Sequence, residues 1–131
     1  MIKKFIIFIL IVLSISLFSC YSIRKEHQEA RNLPIEAINF SQLKDGTYVG
    51  QYDGGMYQWR KNEVEVVIES GKVISIRLLN RDDPKAENSD HSILFKRVMQ
   101  AQSLEVDAIS GATLTSNAYL KAVEIALKNA Q

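Results

Sequence analysis

The stretch Asn62-Glu-Val-Glu-Val-Val-Ile-Glu-Ser-Gly-Lys-Val-Ile-Ser-Ile-Arg-Leu-Leu79 decides the fold class predicted for this chain. In its first half, the apolar residues Val64, Val66 and Ile68 alternate with more polar positions. Side chains two residues apart lie on the same face of a strand, so this pattern is typical of a strand with one buried face. Asn62 to Glu69 is therefore predicted to form a β-strand.

The second half of the stretch, Lys72 to Leu79, predicts an antiparallel partner strand. Its apolar residues at alternate positions are Ile74, Ile76 and Leu78. A two-residue loop, Ser70-Gly71, would set Val66 opposite Ser75 and spoil the apolar face. A three-residue loop that includes Glu69 would set Val66 opposite Ile74 instead, which keeps the face apolar. We therefore predict the longer loop, with a positive φ at Gly71.

A further strand is predicted before this hairpin. Thr47 to Tyr52 is rich in β-forming residues and follows Asp45-Gly46, a turn dipeptide where we expect the folded domain to begin. Asp53-Gly54-Gly55 then ends the strand.

Two amphipathic helices are predicted after the strands. The first begins at Ser89 or Asp90, after a polar loop that contains Pro84, and runs through Ala101 with Leu94, Phe95, Val98 and Met99 as its apolar side. The second ends near Ala130, and its apolar stripe consists of Leu120, Val123, Ala126, Leu127 and Ala130. Strands followed by helices indicate an α+β fold, with an antiparallel β-sheet packed with helices.

The N-terminus predicts export from the cytoplasm. Lys3 and Lys4 precede the apolar run Phe5–Leu17, which is shorter than the roughly 20 residues of a transmembrane helix. Residues 1–19 are therefore predicted to be a signal peptide. An uncleaved membrane anchor is the alternative.

The signal peptide ends in Leu17-Phe18-Ser19-Cys20, which resembles a bacterial lipobox. The resemblance implies cleavage before Cys20, a lipid on that cysteine, and attachment to the cell membrane or outer membrane, facing outside the cytoplasm. Residues 20–43 are then a tether, either flexible or with a short helix that Pro34 interrupts. Residues 44–131 form the folded domain.

Charge and cysteine content exclude several classes of site. The chain has 16 basic and 15 acidic residues, a net charge of +1, so it lacks the basic surplus that attracts nucleic acid. The single cysteine excludes an internal disulfide and a cysteine-cluster metal site.

The most informative stretch for function is Asp107-Ala-Ile-Ser-Gly-Ala-Thr-Leu-Thr-Ser116, which precedes the last predicted helix. Gly111 permits a close approach of the backbone to a ligand, and Thr115 or Ser116 can cap the helix. Free backbone N–H groups at a helix start suit a phosphate. Asp107 would repel a phosphate, so this acid needs another role if a phosphate binds here. Residue chemistry therefore leaves a plain helix cap and a phosphate site both open.

Asp107-Ala108-Ile109-Ser110-Gly111-Ala112-Thr113 resembles the flavinylation motif Asp-x-x-Ser/Thr-Gly-Ala-Thr/Ser of the FMN-binding domain family. That family includes flavin-carrying components of the sodium-translocating NADH:quinone reductase and of the Rnf complex, together with small single-domain lipoproteins. The resemblance extends over about residues 43–129. It implies a small FMN-binding domain.

The resemblance also implies how FMN is held and used. A phosphoester joins it to the hydroxyl of Thr113, and Asp107, Ser110, Gly111, Ala112, Leu114 and Thr115 complete the binding motif. A magnesium-dependent flavin transferase that uses FAD installs it, and Asp107 is recognised by that transferase or aligns Thr113. Ser110, Thr115 and Ser116 are fallback acceptors. The implied role is an electron carrier for membrane or extracytoplasmic redox proteins, rather than a self-contained enzyme. The alternative is a lipid-anchored accessory module that binds FMN noncovalently or not at all.

Two other groups of residues are weaker candidates. Met56, Tyr57 and Trp59 follow a double glycine, and we expect them to pack on the sheet rather than flank a flavin. The residues Asp82, Asp83, Glu87, Asp90 and His91 offer metal ligands, but their spacing matches no metal motif and favours a solvated loop. His91 could instead face the flavin from the start of its helix.

Overall fold

A computed structural model describes residues 1–79 and 90–131 of the protein. Its elements, in chain order, are α1 (Ile2–Arg31), a 3₁₀ turn (Phe40–Gln42), β1 (Gly46–Tyr52), β2 (Asn62–Glu69), β3 (Lys72–Leu78), α2 (Asp90–Ala101) and α3 (Thr113–Lys128). The strands form one antiparallel sheet in the order β1-β2-β3. The α+β prediction is therefore confirmed, and so are the three predicted strands and the two helices that follow them.

The turn between β2 and β3 differs from the prediction. Glu69 pairs with Lys72, so the loop is the two-residue Ser70-Gly71, and both loop residues have positive φ (53° and 71°). This is the geometry of a type I′ turn, whose twist matches that of the flanking strands. The positive φ at Gly71 was predicted correctly, and the three-residue loop was wrong.

A β-bulge in β3 keeps the sheet face apolar despite the shorter loop. Ile68 pairs with Val73 and Val67 with Ser75, so Ile74 is an extra residue in the ladder. Beyond it, Val66 pairs with Ile76 and Val64 with Leu78, and the inward residues of β3 are Val73, Ile76 and Leu78. Ile74 is 49% exposed, so the prediction that it shares the buried face was wrong. A bulge shifts register within a strand, which alternation alone does not reveal.

The core lies between the inner face of the sheet and helices α2 and α3. All five residues of the predicted α3 stripe are buried, and so are Leu94, Phe95 and Val98 of α2. The backbone of α3 packs closely on β1 at Gly50. A Cβ atom there would lie 2.0 Å from the carbonyl oxygen of Ala122 and 2.5 Å from the nitrogen of Ala126. The glycine therefore sets how near the helix approaches the sheet.

Helix α1 has two parts with different surroundings. An 18-residue window in it has a mean hydropathy of 2.6 and is wholly exposed, so by length and composition the helix can cross a membrane, a test that signal sequences also pass. Its C-terminal part continues through the charged patch to Arg31, where Glu26 and Ala30 are buried against the domain. The helical form of this patch, rather than a flexible chain, is present in the structure. Pro34 lies shortly after the end of α1, a position where proline is common because it cannot continue a helix.

The segment between α1 and β1 also packs on the domain. Ile35, Ile38 and Phe40 contact the core, Leu43 is buried within it, and the N–H of Lys44 donates to the carbonyl oxygen of Ala130 (2.8 Å). The domain boundary at residue 44 stays a prediction.

Candidate functional site

The motif loop ends in a tight turn immediately before α3. The N–H of Ala112 donates to the carbonyl oxygen of Ile109 (2.9 Å), which closes a four-residue turn. Gly111 is the third residue of this turn and has a φ of +76°, the conformation that type II turns require at that position. Its Cβ position is open, with no atom within 4 Å. The glycine is thus needed for backbone conformation and not for space.

Helix α3 begins earlier than we predicted. Ala112 is the N-cap, without a side-chain capping bond, and Thr113 is the first helical residue. Thr115 and Ser116 therefore lie inside the first turn, and the prediction that either one caps the helix was wrong.

Ser116 has a different role, because it ties the motif loop to the helix. Its buried hydroxyl (the residue is 2% exposed) accepts a hydrogen bond from the N–H of Ile109 (3.1 Å). Burial and this bond leave Ser116 inaccessible as an acceptor for covalent modification. The three remaining hydroxyl residues of the motif, Ser110, Thr113 and Thr115, are all exposed.

The first turn of α3 presents unpaired backbone donors. The first helical hydrogen bond there joins the N–H of Ser116 to the carbonyl oxygen of Ala112 (2.8 Å). Within residues 1–79 and 90–131, the N–H groups of Thr113, Leu114 and Thr115 have no acceptor. These donors and the positive end of the helix dipole attract anions such as phosphate. The predicted acceptor, Thr113, is exposed and is the residue that bears the first of these N–H groups.

Arg97 in α2 positions the beginning of the motif. Its Nη1 donates to the carbonyl oxygen of Asp107 (2.7 Å) and to that of Ala108 (3.3 Å). The carboxylate of Asp107 is exposed and has no partner among the residues that the structure describes. Sequence reasoning missed Arg97, because nothing in α2 marks one basic residue as the partner of a loop ten positions away.

A cleft of about 140 Å³ opens beside the start of α3. It is lined by Trp59, Arg60, Lys61, Asn62, Leu78, Thr115, Ala118 and Tyr119. The side-chain amide of Asn62 donates to the carbonyl oxygens of Arg60 (3.0 Å) and Ala118 (3.1 Å). Its Oδ1 is buried and has no partner among the described residues, so an acceptor remains at the cleft for a donor group of a ligand.

Aromatic side chains flank this cleft. Tyr57 stacks on Trp59 with ring centroids 4.8 Å apart, and the two are 41% and 56% exposed. Met56 is 44% exposed. The prediction that these three side chains pack on the sheet was therefore wrong. On the other side, the ring of His91 lies 5.9 Å from that of Tyr119, a cleft residue. A role for His91 toward a flavin stays a prediction.

The predicted acidic loop and the helix cap at Ser89 lie outside the described residues, as do Asp82, Asp83 and Glu87. Within residues 1–79 and 90–131, no group of three or more His, Cys, Asp or Glu side chains is placed to hold a metal ion.

The predicted lipidation site, Cys20, is an exposed free cysteine in α1.

The FMN-binding domain family matches this chain over residues 58–128. That range contains the cleft, β2, β3, Arg97, the whole motif and α3. The protein belongs to the FMN-binding domain family, and FMN is its cofactor. No curated protein matches the sequence.

The residues around the motif fit the parts of FMN. Three N–H groups at the start of α3 that have no acceptor among the described residues suit its phosphate. The cleft offers aromatic surface for its ring, and an acceptor without a partner in the described chain for its hydroxyl groups. The cleft volume of about 140 Å³ is well below the roughly 300–1,000 Å³ typical of small-molecule pockets. The residues that the structure describes around the cleft can therefore enclose only part of the cofactor.

Proposed function

We propose that this protein is a membrane-tethered, extracytoplasmic flavoprotein that holds FMN by a phosphoester to Thr113 and carries electrons between redox partners. The observation that carries the proposal is the position of Thr113. Its hydroxyl is exposed on the first residue of α3, beside three backbone N–H groups without acceptors in the described chain. Ser116, by contrast, is buried and hydrogen bonded.

The proposed attachment is a phosphoryl-type transfer from FAD, catalysed by a magnesium-dependent flavin transferase. The Thr113 oxygen loses its proton and bonds to the phosphorus of the FMN half, the pyrophosphate bond of FAD breaks, and AMP leaves. The N–H groups of Thr113, Leu114 and Thr115 are placed to hold the phosphate oxygens as charge develops on them. Asp107, exposed and without a partner in the described chain, is available to the transferase for recognition or for magnesium.

A covalent bond explains how so shallow a site can retain its cofactor. The described residues that line the cleft enclose about 140 Å³, so noncovalent contacts from these residues alone would hold a flavin weakly. The same shallowness leaves the cofactor accessible to redox partners. When bound, FMN supplies reversible redox chemistry, and the protein supplies its position and environment. Trp59 and Tyr119, which line the cleft, are the residues expected to contact the ring.

The proposed location rests on the N-terminus. Residues 1–19 act as a signal peptide, lipid on Cys20 tethers the domain, and the domain faces outside the cytoplasm at the cell membrane or outer membrane. The exposed, apolar first part of α1 and the exposure of Cys20 support this arrangement. An uncleaved α1 would tether the domain equally.

Intact mass after coexpression with a flavin transferase tests the attachment. The wild-type protein is expected to gain the mass of FMN less water, and its flavin fluorescence should persist on a denaturing gel. Thr113→Ala should abolish both signals, whereas Thr113→Ser should retain them. Thr115→Ala is the matched control, because it removes an exposed hydroxyl two residues away and should leave attachment intact.

Other results of this experiment would contradict the proposal. A flavin that survives Thr113→Ala would place the bond on another residue. A wild-type protein that releases all its FMN on denaturation would support the noncovalent accessory module. The electron-carrier role fails separately if the attached flavin cannot be reduced and reoxidised by membrane donors and acceptors in absorbance spectra.

A further inference from the structure

The chain that leaves α1 runs beside the domain in step with α3. Three α3 residues contact this chain in order: the carbonyl oxygens of Ala30 and Arg31 accept from Asn117 (3.2 and 3.1 Å), that of Pro34 accepts from Lys121 (2.9 Å), and the N–H of Glu36 donates to Glu124 (3.0 Å). Glu26, earlier in the same chain segment, pairs with Arg60 of the loop between β1 and β2. Later residues of the first segment therefore contact later residues of α3. The two segments run parallel.

This parallel arrangement orients the domain relative to the apolar part of α1. Because α3 runs in the same direction as the chain that leaves α1, its N-terminus points back toward Cys20. Thr113 precedes Asn117 by four residues, about 6 Å along a helix, which places it near the level of Glu26. Glu26 follows Cys20 by six residues, or about 9 Å. The acceptor threonine thus lies within roughly one or two helical turns of the membrane attachment point.

The loop between β1 and β2 lies at the same level. Arg60 in this loop pairs with Glu26, and Tyr52, Gly55 and Met56 line a cavity of about 240 Å³ together with α1 residues such as Ala30. The buried Glu26 (2% exposed) makes this joint part of the packed structure rather than a surface contact. The cleft and its rim are therefore held at the end of the domain that is nearest to Cys20.

Trp59 lines the cleft, and Tyr57 and Met56 lie beside it in the loop between β1 and β2. We call these three residues the rim, and they have the composition of a membrane-interface surface. Met56, Tyr57 and Trp59 are 44%, 41% and 56% exposed, and Tyr57 stacks on Trp59. Trp and Tyr are enriched where proteins meet the headgroup layer, because their rings combine apolar area with a hydrogen-bonding group. The exposed apolar part of α1 ends nearby. Under the proposed tether, this segment enters the membrane there if it is retained, and lipid on Cys20 does so if it is cleaved.

We propose that the rim formed by Met56, Tyr57 and Trp59 rests in the lipid headgroup layer, so that the flavin cleft opens at the membrane surface. The inference rests on the proposed membrane tether and adds a fixed orientation to it. Contacts from Glu26 to Glu36 hold the domain against the chain that enters the membrane, which removes the freedom of a loose tether. A redox partner that itself lies in the membrane then has direct access to the cleft.

Trp59 allows a specific test, because it is the single tryptophan of the chain. The full-length, FMN-loaded protein would be reconstituted into vesicles of phosphatidylcholine and phosphatidylglycerol, with or without bromine on the acyl chains near the headgroup. The ratio of Trp59 emission in the two vesicles cancels any quenching by FMN. We expect loss of most of the emission in brominated vesicles.

A matched control moves the tryptophan to the opposite end of the sheet. Strand β2 has eight residues, so its far end lies about 25 Å from Asn62. The double variant Trp59→Phe/Lys72→Trp places the probe on an exposed residue beside the Ser70-Gly71 turn. Its emission should be the same in brominated and ordinary vesicles.

Flotation of the vesicles separates this inference from the proposed tether. Protein that floats with vesicles while Trp59 is quenched no more than the Lys72→Trp probe would overturn the orientation and leave the tether standing. Strong quenching of both probes is one such outcome, because the domain would then lie on the membrane without a preferred end. Protein that does not float would overturn the tether and this inference together.

Discussion

The two ends of the sheet are built for different purposes. At the end that contains the Ser70-Gly71 turn, backbone groups find partners within the protein. The carboxylate of Asp45 accepts from the N–H groups of Ser70 (2.9 Å) and Gly71 (2.8 Å), and the Gln102 side chain bonds both the N–H and the carbonyl oxygen of Val73. We call this the closed end.

The opposite end, which we call the open end, contains the cleft, the loop between β1 and β2, and the start of α3. Three successive N–H groups there lack acceptors in the described chain, and Asn62 Oδ1 is buried without one. Unpaired groups cost stability unless a ligand or solvent satisfies them. The comparison indicates that hydrogen bonds at the closed end stabilise the domain, while polar groups at the open end are left to bind FMN.

The largest expected effect on stability comes from disturbing the packing of α3 on β1 at Gly50. Gly50→Ala would force a Cβ into the backbone of α3 at Ala122 and Ala126, and α3 spans both ends. We expect a loss of about 3 kcal/mol or more in the free energy of unfolding, measured by denaturant titration. Gly71→Ala is the control, since its Cβ meets no atom within 4 Å and only the positive φ is strained, at about 1–2 kcal/mol. Equal losses would show that α3 does not pack closely on β1.

The next largest effect is expected at Glu124, whose carboxylate is fully buried and bonds Lys121, Lys128 and the N–H of Glu36. Burial raises its pKa, but the hydrogen bonds from Lys128, Glu36 and Lys121 outweigh burial and lower the pKa below its ordinary value. Glu124→Gln should cost about 1–3 kcal/mol at neutral pH, while flavin attachment stays unchanged.

The pH dependence of this variant follows from the sign of the shift. A group with a lowered pKa in the folded state stabilises the protein above its unfolded pKa, and that contribution is lost as the pH falls through the folded value. Stability of the wild type and of Glu124→Gln should therefore converge below the ordinary pKa of 4.5. Glu36→Gln, which alters an exposed partner of Lys128, is the control and should change stability little. A constant difference down to low pH would contradict the assignment.

At the open end, Arg97→Gln is expected to act on function more than on stability. It removes the donor to the carbonyl oxygens of Asp107 and Ala108, so the motif loop loses its support from α2. Flavin attachment by the transferase should slow severalfold, while the free energy of unfolding falls by about 1 kcal/mol. The measurement is the time course of FMN incorporation by intact mass.

Two controls accompany this variant. Arg97→Lys keeps the charge but replaces the planar guanidinium by an ammonium on a shorter side chain, and should give an intermediate rate. Arg77→Gln removes an exposed arginine, which pairs with Glu65 on the sheet, and should leave the rate unchanged. An unchanged rate in Arg97→Gln would mean that the motif loop holds its shape without α2.

The smallest effect is expected at the closed end, in Asp45→Asn. Hydrogen bonds from the N–H groups of Gly71 and Ser70 lower the pKa of Asp45, so its stabilising contribution is present above the ordinary pKa of 3.8 and is lost as the pH falls below it. The amide variant should unfold at a slightly lower denaturant concentration at neutral pH, but not in strong acid. Identical midpoints at neutral pH would mean that the turn holds without Asp45. Flavin attachment should be the same as in the wild type.

Much of the fold followed from local patterns. Alternation in β2 and helical spacing in α3 predicted which side chains are buried, because burial on one face imposes a period on the sequence. The register of β3 was not predictable in this way. The observed two-residue turn with a bulge at Ile74 and the predicted three-residue turn both give β2 and β3 an apolar face. The apolar pattern therefore does not distinguish between the two registers.

The resemblance of Asp107–Thr113 to the flavinylation motif predicted the family, the cofactor and a candidate acceptor, because that motif is a local stretch of the chain. Only the tertiary structure decided which hydroxyls are accessible, since Ser116 is buried by its bond to Ile109. It also brought Arg97 to the motif and Glu26 to Arg60. These contacts join residues from separate elements, and their positions depend on how helices and sheet pack. For the same reason, the direction in which the cleft faces relative to α1 emerges only from the packed chain.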